Sequence, residues 1–409
     1  VKVLTVVGNR PQLVKAAAVS GRLREHAEEV LVHTGQHYDR ELSDVFFAEL
    51  DLPPPRHELG VGSGTHAEQT GRTMARLEPL AEAERPDAVL VYGDTNATLA
   101  AALVAAKLML PLAHVEAGMR SFDRGMPEEV NRVTADRFAG LLLCPTETAV
   151  ENLRREGLGA NARLVGDVMA DVARRLGPIA DRRSRALDRF GLERGGYLLA
   201  TAHRAGNVDD PAALARLAQL LRQGAERHGP LVLPLHPRTR VRLARVGLLR
   251  ELERARGVRL CEPLGYLDFA CLLRGARAVL TDSGGLQKEA YLAGVPCVTL
   301  RESTEWVETV ESGWNRLAGL DAEAALTALG ELLERRHGPG PDLTIYGAGD
   351  AGARVVDELL TWLGADVPGV KGPYRCKNPG TSAGVAAGEE AGGDRAEDDR
   401  AEQHDAARD

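Results

Sequence analysis

Short apolar runs alternate with amphipathic stretches from the first residue onward. Val1 to Val7 is nearly all apolar, Pro11 to about His26 carries helical spacing, and Glu29 to His33 is apolar again. This is the strand, helix, strand rhythm of a parallel sheet. Further runs at Ala88 to Tyr92, Pro111 to Val115 and Gly140 to Leu143 each lead into a polar turn and a helix. One doubly wound domain is therefore predicted over residues 1–168. The rhythm restarts at Tyr197 to Thr201 and continues at Leu231 to Pro234, Val258 to Leu260, Ala278 to Leu280 and Cys297 to Leu300. A second parallel-sheet domain is predicted over 169–350, with the charged, helical stretch Asp171 to Arg194 as connector. A last helix is expected over 351–365. From 366 to 409 the chain turns to Gly and Pro, then to Ala, Glu, Asp and Arg without apolar periodicity, which predicts a disordered acidic tail.

The predicted fold class is α/β, with two Rossmann-like doubly wound domains facing a central cleft. Ligands in open α/β sheets sit beyond the carboxyl ends of the strands, so the active site is expected in that cleft. A length of 409 residues agrees with two globular halves plus an extension. No run approaches the ~18 apolar residues of a membrane-spanning helix, and no secretory leader is read at the N-terminus, so a soluble, cytoplasmic protein is expected.

Charge changes the picture only at the end of the chain. The formal charge is -8, and Thr381 to Asp409 holds nine acidic and three basic residues, so most of the imbalance lies in the tail. The folded part is nearly neutral, which excludes the clustered basic surface of a nucleic-acid binder. Five cysteines, Cys144, Cys261, Cys271, Cys297 and Cys376, form no CxxC pair and read as reduced thiols rather than disulfides or zinc ligands.

Candidate chemistry lies in the turns after the strands. Gly8-Asn9-Arg10-Pro11-Gln12 follows the first strand, with Lys15 one helical turn on; a glycine, a helix start and two cations there suit an anion. Tyr92-Gly93-Asp94-Thr95-Asn96 and His114-Val115-Glu116-Ala117-Gly118-Met119-Arg120 follow later strands, and Pro127-Glu128-Glu129 comes soon after with Asn131 and Arg132. Asp94 could simply cap a helix and Glu128 could simply pair with Arg132, but three acids converging at strand ends favour chemistry. In the second half, one strand delivers Ala202-His203-Arg204 and another Thr281-Asp282-Ser283-Gly284-Gly285-Leu286-Gln287-Lys288-Glu289. The backbone N–H groups of that small-residue turn suit phosphate, and Glu289, read as lying on the first turn of the helix, suits ribose hydroxyls.

Two patterns are set aside. Gly347 to Gly352 spells GxGxxG, yet no second strand with a ribose-binding acid follows, so no nicotinamide or other cofactor is assigned. His33 and His37 are four apart but flank a turn rather than sharing a helix face, so no metal site is assigned.

Taken together these strings resemble the non-hydrolysing UDP-N-acetylglucosamine 2-epimerases, from Val1 to about Leu363. The resemblance implies a fold of the glycosyltransferase B type with a terminal helix crossing back to the first domain, and a homodimer. It implies that Asp94, Glu116 and Glu128 are catalytic acids and His203 a catalytic histidine. It further implies that Arg10, Lys15, Ser283, Gly284 and Gly285 hold the diphosphate, Phe269 packs on uracil and Glu289 takes the ribose, with Arg132 and His236 also binding substrate. Gln12, Trp306 and Gly206 depart from the commoner family residues. The first two resemble a branch that includes archaeal members and epimerases of diacetamido-glucuronic acid nucleotides. Gln36-His37-Tyr38-Asp39 also departs from the pattern of members activated by a second substrate molecule, which implies that such control is absent.

The implied reaction interconverts UDP-N-acetylglucosamine and UDP-N-acetylmannosamine. The C2 hydrogen of the sugar is not acidic until UDP begins to leave C1, when oxocarbenium character acidifies it. Anti elimination then gives 2-acetamidoglucal and bound UDP, and re-addition completes the inversion. Competing readings are a 2-epimerase of a diacetamido-glucuronic acid nucleotide, a hydrolysing epimerase, a glycosyltransferase of the same fold, and a catalytically dead nucleotide binder.

Overall fold

The computed structural model describes residues 1–35, 45, 47–334 and 340–364. The acidic tail over 366–409, residue 365 of the last helix, the Gln36 to Asp39 pattern, His37 and Cys376 lie outside the described residues. Seven parallel strands form the first sheet: β1 (Lys2–Val7), β2 (Glu28–His33), β3 (His57–Glu58), β4 (Ala88–Tyr92), β5 (Leu112–Val115), β6 (Leu141–Cys144) and β7 (Ala162–Leu164), in the order β3-β2-β1-β4-β5-β6-β7. Six form the second: β8 (Leu198–Thr201), β9 (Leu231–Pro234), β10 (Val258–Cys261), β11 (Ala278–Thr281), β12 (Cys297–Thr299) and β13 (Asn315–Leu317), in the order β10-β9-β8-β11-β12-β13. Both are doubly wound: the strand order reverses beside β1 and again beside β8, which puts the crevice of each half at the carboxyl ends of those strands.

The apolar runs are strands because helices cover both faces of each sheet. Val3, Leu4, Val6 and Val7 of β1, and Val89, Leu90 and Val91 of β4, are all buried, so consecutive side chains on opposite faces must all be apolar. The sequence reading passed over β3, β7 and β13, which have two or three residues each at or near sheet edges, too few to show a period.

Helices begin where side-chain oxygens meet the first free N–H groups. Asn9, Thr95, Thr146 and Ser283 each accept from the backbone N–H three residues on, and so start a helix right after a strand. This places the first turns of several helices around the crevices. Among the described residues no helix is long and apolar enough to cross a membrane, and no group of three or more His, Cys, Asp or Glu side chains is arranged to hold a metal ion.

The chain passes between the halves twice, and the two passages touch. Asp167 caps the long helix Val168–Arg183, which packs on the helices Arg10–His26 and Tyr266–Gly275. Its backbone N–H donates to the carbonyl of Tyr346 at 3.0 Å, on the return passage. Gly166 and Gly347 face each other there at φ values of 87° and 93°, so close that a Cβ on either would lie 3.3–3.4 Å from the Cα of the other. The final helix, Ala351–Gly364, then lies on Arg10–His26, burying Val355, Val356 and Leu359 in one core with Leu13 and Val14. Gly352 is required by that packing: a Cβ would meet the carbonyl oxygen of Ala18 at 2.0 Å. The GxGxxG string therefore has a steric explanation.

Candidate active site

The first sheet delivers its acids on turns that are locked from beneath. Gly93, at φ 60°, follows β4; a Cβ there would lie 2.6 Å from Lys15 Nζ and 3.4 Å from Glu116 Oε1, so only glycine leaves room for that ion pair. Gln12 joins the first two turns. Its amide oxygen accepts from Gly8 N–H at 2.6 Å, and its Nε2 donates to the Tyr92 carbonyl at 2.7 Å and Thr98 Oγ1 at 2.9 Å. A glutamate in that place could not donate, which gives Gln12 its physical reason.

Glu116 occupies the left-handed region at φ 71°, a backbone state costing roughly 1–2 kcal/mol for a residue with a side chain. Its turn is held by Glu116 N–H to the Leu143 carbonyl at 3.0 Å and Gly118 N–H to Asp136 Oδ2 at 3.1 Å. Asp136 is fully buried and is paired with His114 Nδ1 at 2.7 Å and an Arg120 nitrogen at 2.7 Å, while His114 Nε2 lies 2.7 Å from the Gly93 carbonyl. The carboxylate of Glu116 contacts Lys15 Nζ through Oε1 at 2.5 Å and Lys288 Nζ through Oε2 at 3.2 Å. Burial works against its ionisation, but Lys15 and Lys288 outweigh it and hold the carboxyl at about 2.

Asp94 pairs with buried Arg132, whose other arm reaches Glu129 at 3.1 Å. Burial opposes the Arg132 charge, and Asp94, Glu305 and Glu129 together keep it in place. The partner of Arg132 on its own helix is thus Glu129, not Glu128 as the spacing alone suggested. Glu129 is spoken for a second time, accepting from Ser121 and Phe122 N–H groups at 2.9 and 3.0 Å. Glu128 is left facing the cleft, with Arg204 of the second half 3.9 Å away.

In the second half Asp282 organises two turns. Its carboxylate accepts from the His203 and Arg204 N–H groups at 3.0 Å each and lies 3.3 Å from His203 Nδ1. The His203 ring lies beside that of His236, with centroids 5.7 Å apart. Ser283 caps the helix Gly284–Leu292, which aims that helix start at the cleft. Glu289 falls on the second turn of this helix rather than the first, because the cap is Ser283 and the helix begins at Gly284. Burial lifts its carboxyl to about 7, against the pull of Lys288.

The predicted residues do not share one surface; they line two recesses separated by the helix Gly284–Leu292. Lys15, Asp94, Glu116, Glu128, Gly284 and Gly285 line the first, together with Arg204, Glu305 and Trp306. Phe269 and Glu289 line the second, with Tyr266, Arg174 and Arg274. Arg10, Arg132, His203, His236 and Ser283 line neither recess. Arg132 and Ser283 touch them through Asp94 and the following glycines, and Arg10 precedes Pro11 of the first recess. A Cβ on Gly206 would meet no atom within 4 Å, so the position has room for the larger residue usual in the family. Sequence reasoning missed Asp136, Asp282 and Lys288. Asp282 and Lys288 lie within the small-residue motif but carry no signal of their own, and Asp136 is one helix removed from the turn it holds.

Two parallel doubly wound sheets with carboxylates on one wall of the cleft and a capped small-residue helix start on the other define a two-domain enzyme of the glycosyltransferase B fold. Residues 21–360 match the family described as UDP-N-acetylglucosamine 2-epimerase. A protein of Methanococcus maripaludis described as a UDP-N-acetylglucosamine 2-epimerase homolog is 44% identical over 361 residues, covering 88% of this chain and 99% of that one. The UDP-2,3-diacetamido-2,3-dideoxy-D-glucuronate 2-epimerase of Pseudomonas aeruginosa is also 44% identical, over 368 residues with the same coverage. The crystal structure of the Methanocaldococcus jannaschii UDP-GlcNAc 2-epimerase with UDP-GlcNAc and UDP superposes with a TM-score of 0.83 at 40% identity, covering 88% of this chain and 99% of that one. The chain belongs to the UDP-N-acetylglucosamine 2-epimerase family and is an isomerase of the epimerase type.

Proposed function

We propose that the protein inverts C2 of UDP-N-acetylglucosamine, giving UDP-N-acetylmannosamine by elimination and re-addition of UDP. The observation that carries this reading is the wall of Asp94, Glu116 and Glu128 facing the capped helix start at Gly284 and Gly285 across one recess. The uridine lies in the neighbouring recess, with uracil against Phe269 and ribose hydroxyls on Glu289. The diphosphate then reaches the N–H groups of Ser283, Gly284 and Gly285, with Arg10 and Lys15 adding positive charge from the opposite wall. His203 and His236 flank the leaving group. The division into residues 1–168 and 169–350, with substrate between them, belongs to the same proposal.

Roles follow from how each acid is held. Glu116, gripped by two cations, stays ionised and faces the carbon that gains positive charge as the C1–O bond breaks. Glu128 is the carboxyl least committed to a partner and takes the C2 proton or returns it. Asp94, oriented by Arg132, does the same on the opposite face. The electron pair of the broken C2–H bond forms the C1–C2 double bond and UDP leaves with the C1–O pair; on return UDP rejoins C1 on its original face while the proton reaches C2 from the opposite face.

Incubation with UDP-N-acetylglucosamine in deuterium oxide tests the reading by proton NMR. The expected product is UDP-N-acetylmannosamine carrying deuterium at C2, with deuterium also washing into the substrate. Free N-acetylmannosamine plus UDP would instead establish a hydrolysing enzyme, and unchanged substrate would sink the reading. The reaction takes place in the cytoplasm, where such nucleotides are made.

The working species is a homodimer. Phe122, Val130 and Phe138, on and just before the helix Pro127–Phe138, are 73%, 51% and 48% exposed, apolar side chains that a second copy would cover. Sedimentation of the protein is expected to give the dimer mass, and Phe138→Glu with Phe122→Ser to give the monomer; a monomeric parent protein would refute this.

A further inference from the structure

Lys288 is a fully buried cation in contact with both halves of the molecule. It stands on the helix Gly284–Leu292, yet its Nζ is paired with Asp167 and, at 3.2 Å, with Glu116 Oε2, both from the first half. It also lies 3.9 Å above the ring of Trp306, which lines the recess. Its side chain lines neither recess itself. Two lysines and two carboxylates thus close a neutral cluster, Lys15, Glu116, Lys288 and Asp167. Such a cluster is tolerated in an apolar interior only when every charge is matched.

The geometry of the grip matters beyond charge. Lys15 holds Oε1 of Glu116 from the helix Arg10–His26, and Lys288 holds Oε2 from the opposite half. With one cation alone the carboxylate could turn about its last bond; with two, on different oxygens, its plane is fixed. Glu116 already sits on a strained turn, so its aim depends on these contacts. We propose that Lys288 is a positioning residue for the epimerisation: it fixes the plane of the Glu116 carboxylate from the second half, so that the acid is correctly aimed only while the two halves are docked. This rests on the reading above, in which Glu116 faces the sugar.

The assay uses the full-length protein with UDP-N-acetylglucosamine, and turnover of the unaltered enzyme decides first whether that reading stands. Lys288→Met is then expected to lower kcat about 10²-fold, the scale of a misplaced reacting group. KM should stay within about threefold when read at pH 9, where Glu289 is ionised with or without the pull of its neighbour Lys288. The variant also leaves two buried carboxylates with one cation, so its Tm falls. Lys288→Met combined with Asp167→Asn removes one charge of each sign and is expected to regain Tm while kcat remains low. Recovery of kcat together with Tm in the double variant would show a purely structural lysine and overturn the proposal, as would a rise in KM at unchanged kcat.

Discussion

Glu116→Gln is expected to lower kcat about 10³-fold, the scale seen when one preorganised electrostatic group is lost from a site, with the KM for UDP-N-acetylglucosamine changed by less than about threefold. The substitution keeps the shape of the side chain and removes its charge. Lys15 and Lys288 then face a neutral amide in a buried setting, and breaking such a buried pair costs about 3–5 kcal/mol. The variant should therefore melt well below the parent while still binding nucleotide, because Phe269 and Glu289 lie in the other recess. Steady-state kinetics, thermal melting and titration calorimetry with UDP separate the three effects. A kcat within tenfold of the parent would remove Glu116 from the chemistry.

The second large effect concerns pH. Burial in the recess wall lifts the Glu289 carboxyl to about 7, and a carboxylate accepts ribose hydroxyls better than the neutral acid does. The sign is fixed by that preference: nucleotide binding favours the ionised form, so affinity is full above pH 7 and falls as pH drops through it, approaching tenfold per unit below. The KM for UDP-N-acetylglucosamine is the right readout, since its diphosphate diester does not titrate in this range. It should rise from pH 8 to pH 6, and Glu289→Gln should give a higher, flat KM across the same interval. A parent KM independent of pH would mean that the ribose does not meet Glu289.

Much of this was legible in the chain, and the part that was not has a common cause. The core strands announce themselves because both faces are buried, so that Val3, Leu4, Val6 and Val7 are all apolar and the one polar residue among them, Thr5, is hydrogen-bonded to Glu29. Turns announce themselves because capping residues and glycines have local reasons to be there. Asp94, Glu116 and the Ser283 turn could therefore be singled out as candidates from strand ends, Glu128 from the helix start that follows, and the family resemblance added the roles it implies. Pairings were harder. Whether Arg132 takes Glu128 or Glu129 depends on Ser121 and Phe122, which draw Glu129 inward. The turn on which Glu289 sits depends on which residue caps the helix. Asp136 and Lys288 act across helices and across halves, and no short-range pattern encodes that. The separation of Phe269 and Glu289 from the other candidates likewise comes from where a helix lies, not from spacing in sequence.

The paired passages at Gly166–Asp167 and Tyr346–Gly347 set how the halves can move. A lone tether would allow the second half to swivel, tilt and slide. Two passages joined by the Asp167 to Tyr346 backbone bond and packed glycine on glycine restrict that freedom more than one passage would. Asp167 sits on the first of these passages, and its carboxylate is paired with Lys288. Lys288 is thus tied to that connection while its reach to Glu116 spans the two halves, so that each docking of the halves returns the carboxylate to the same register.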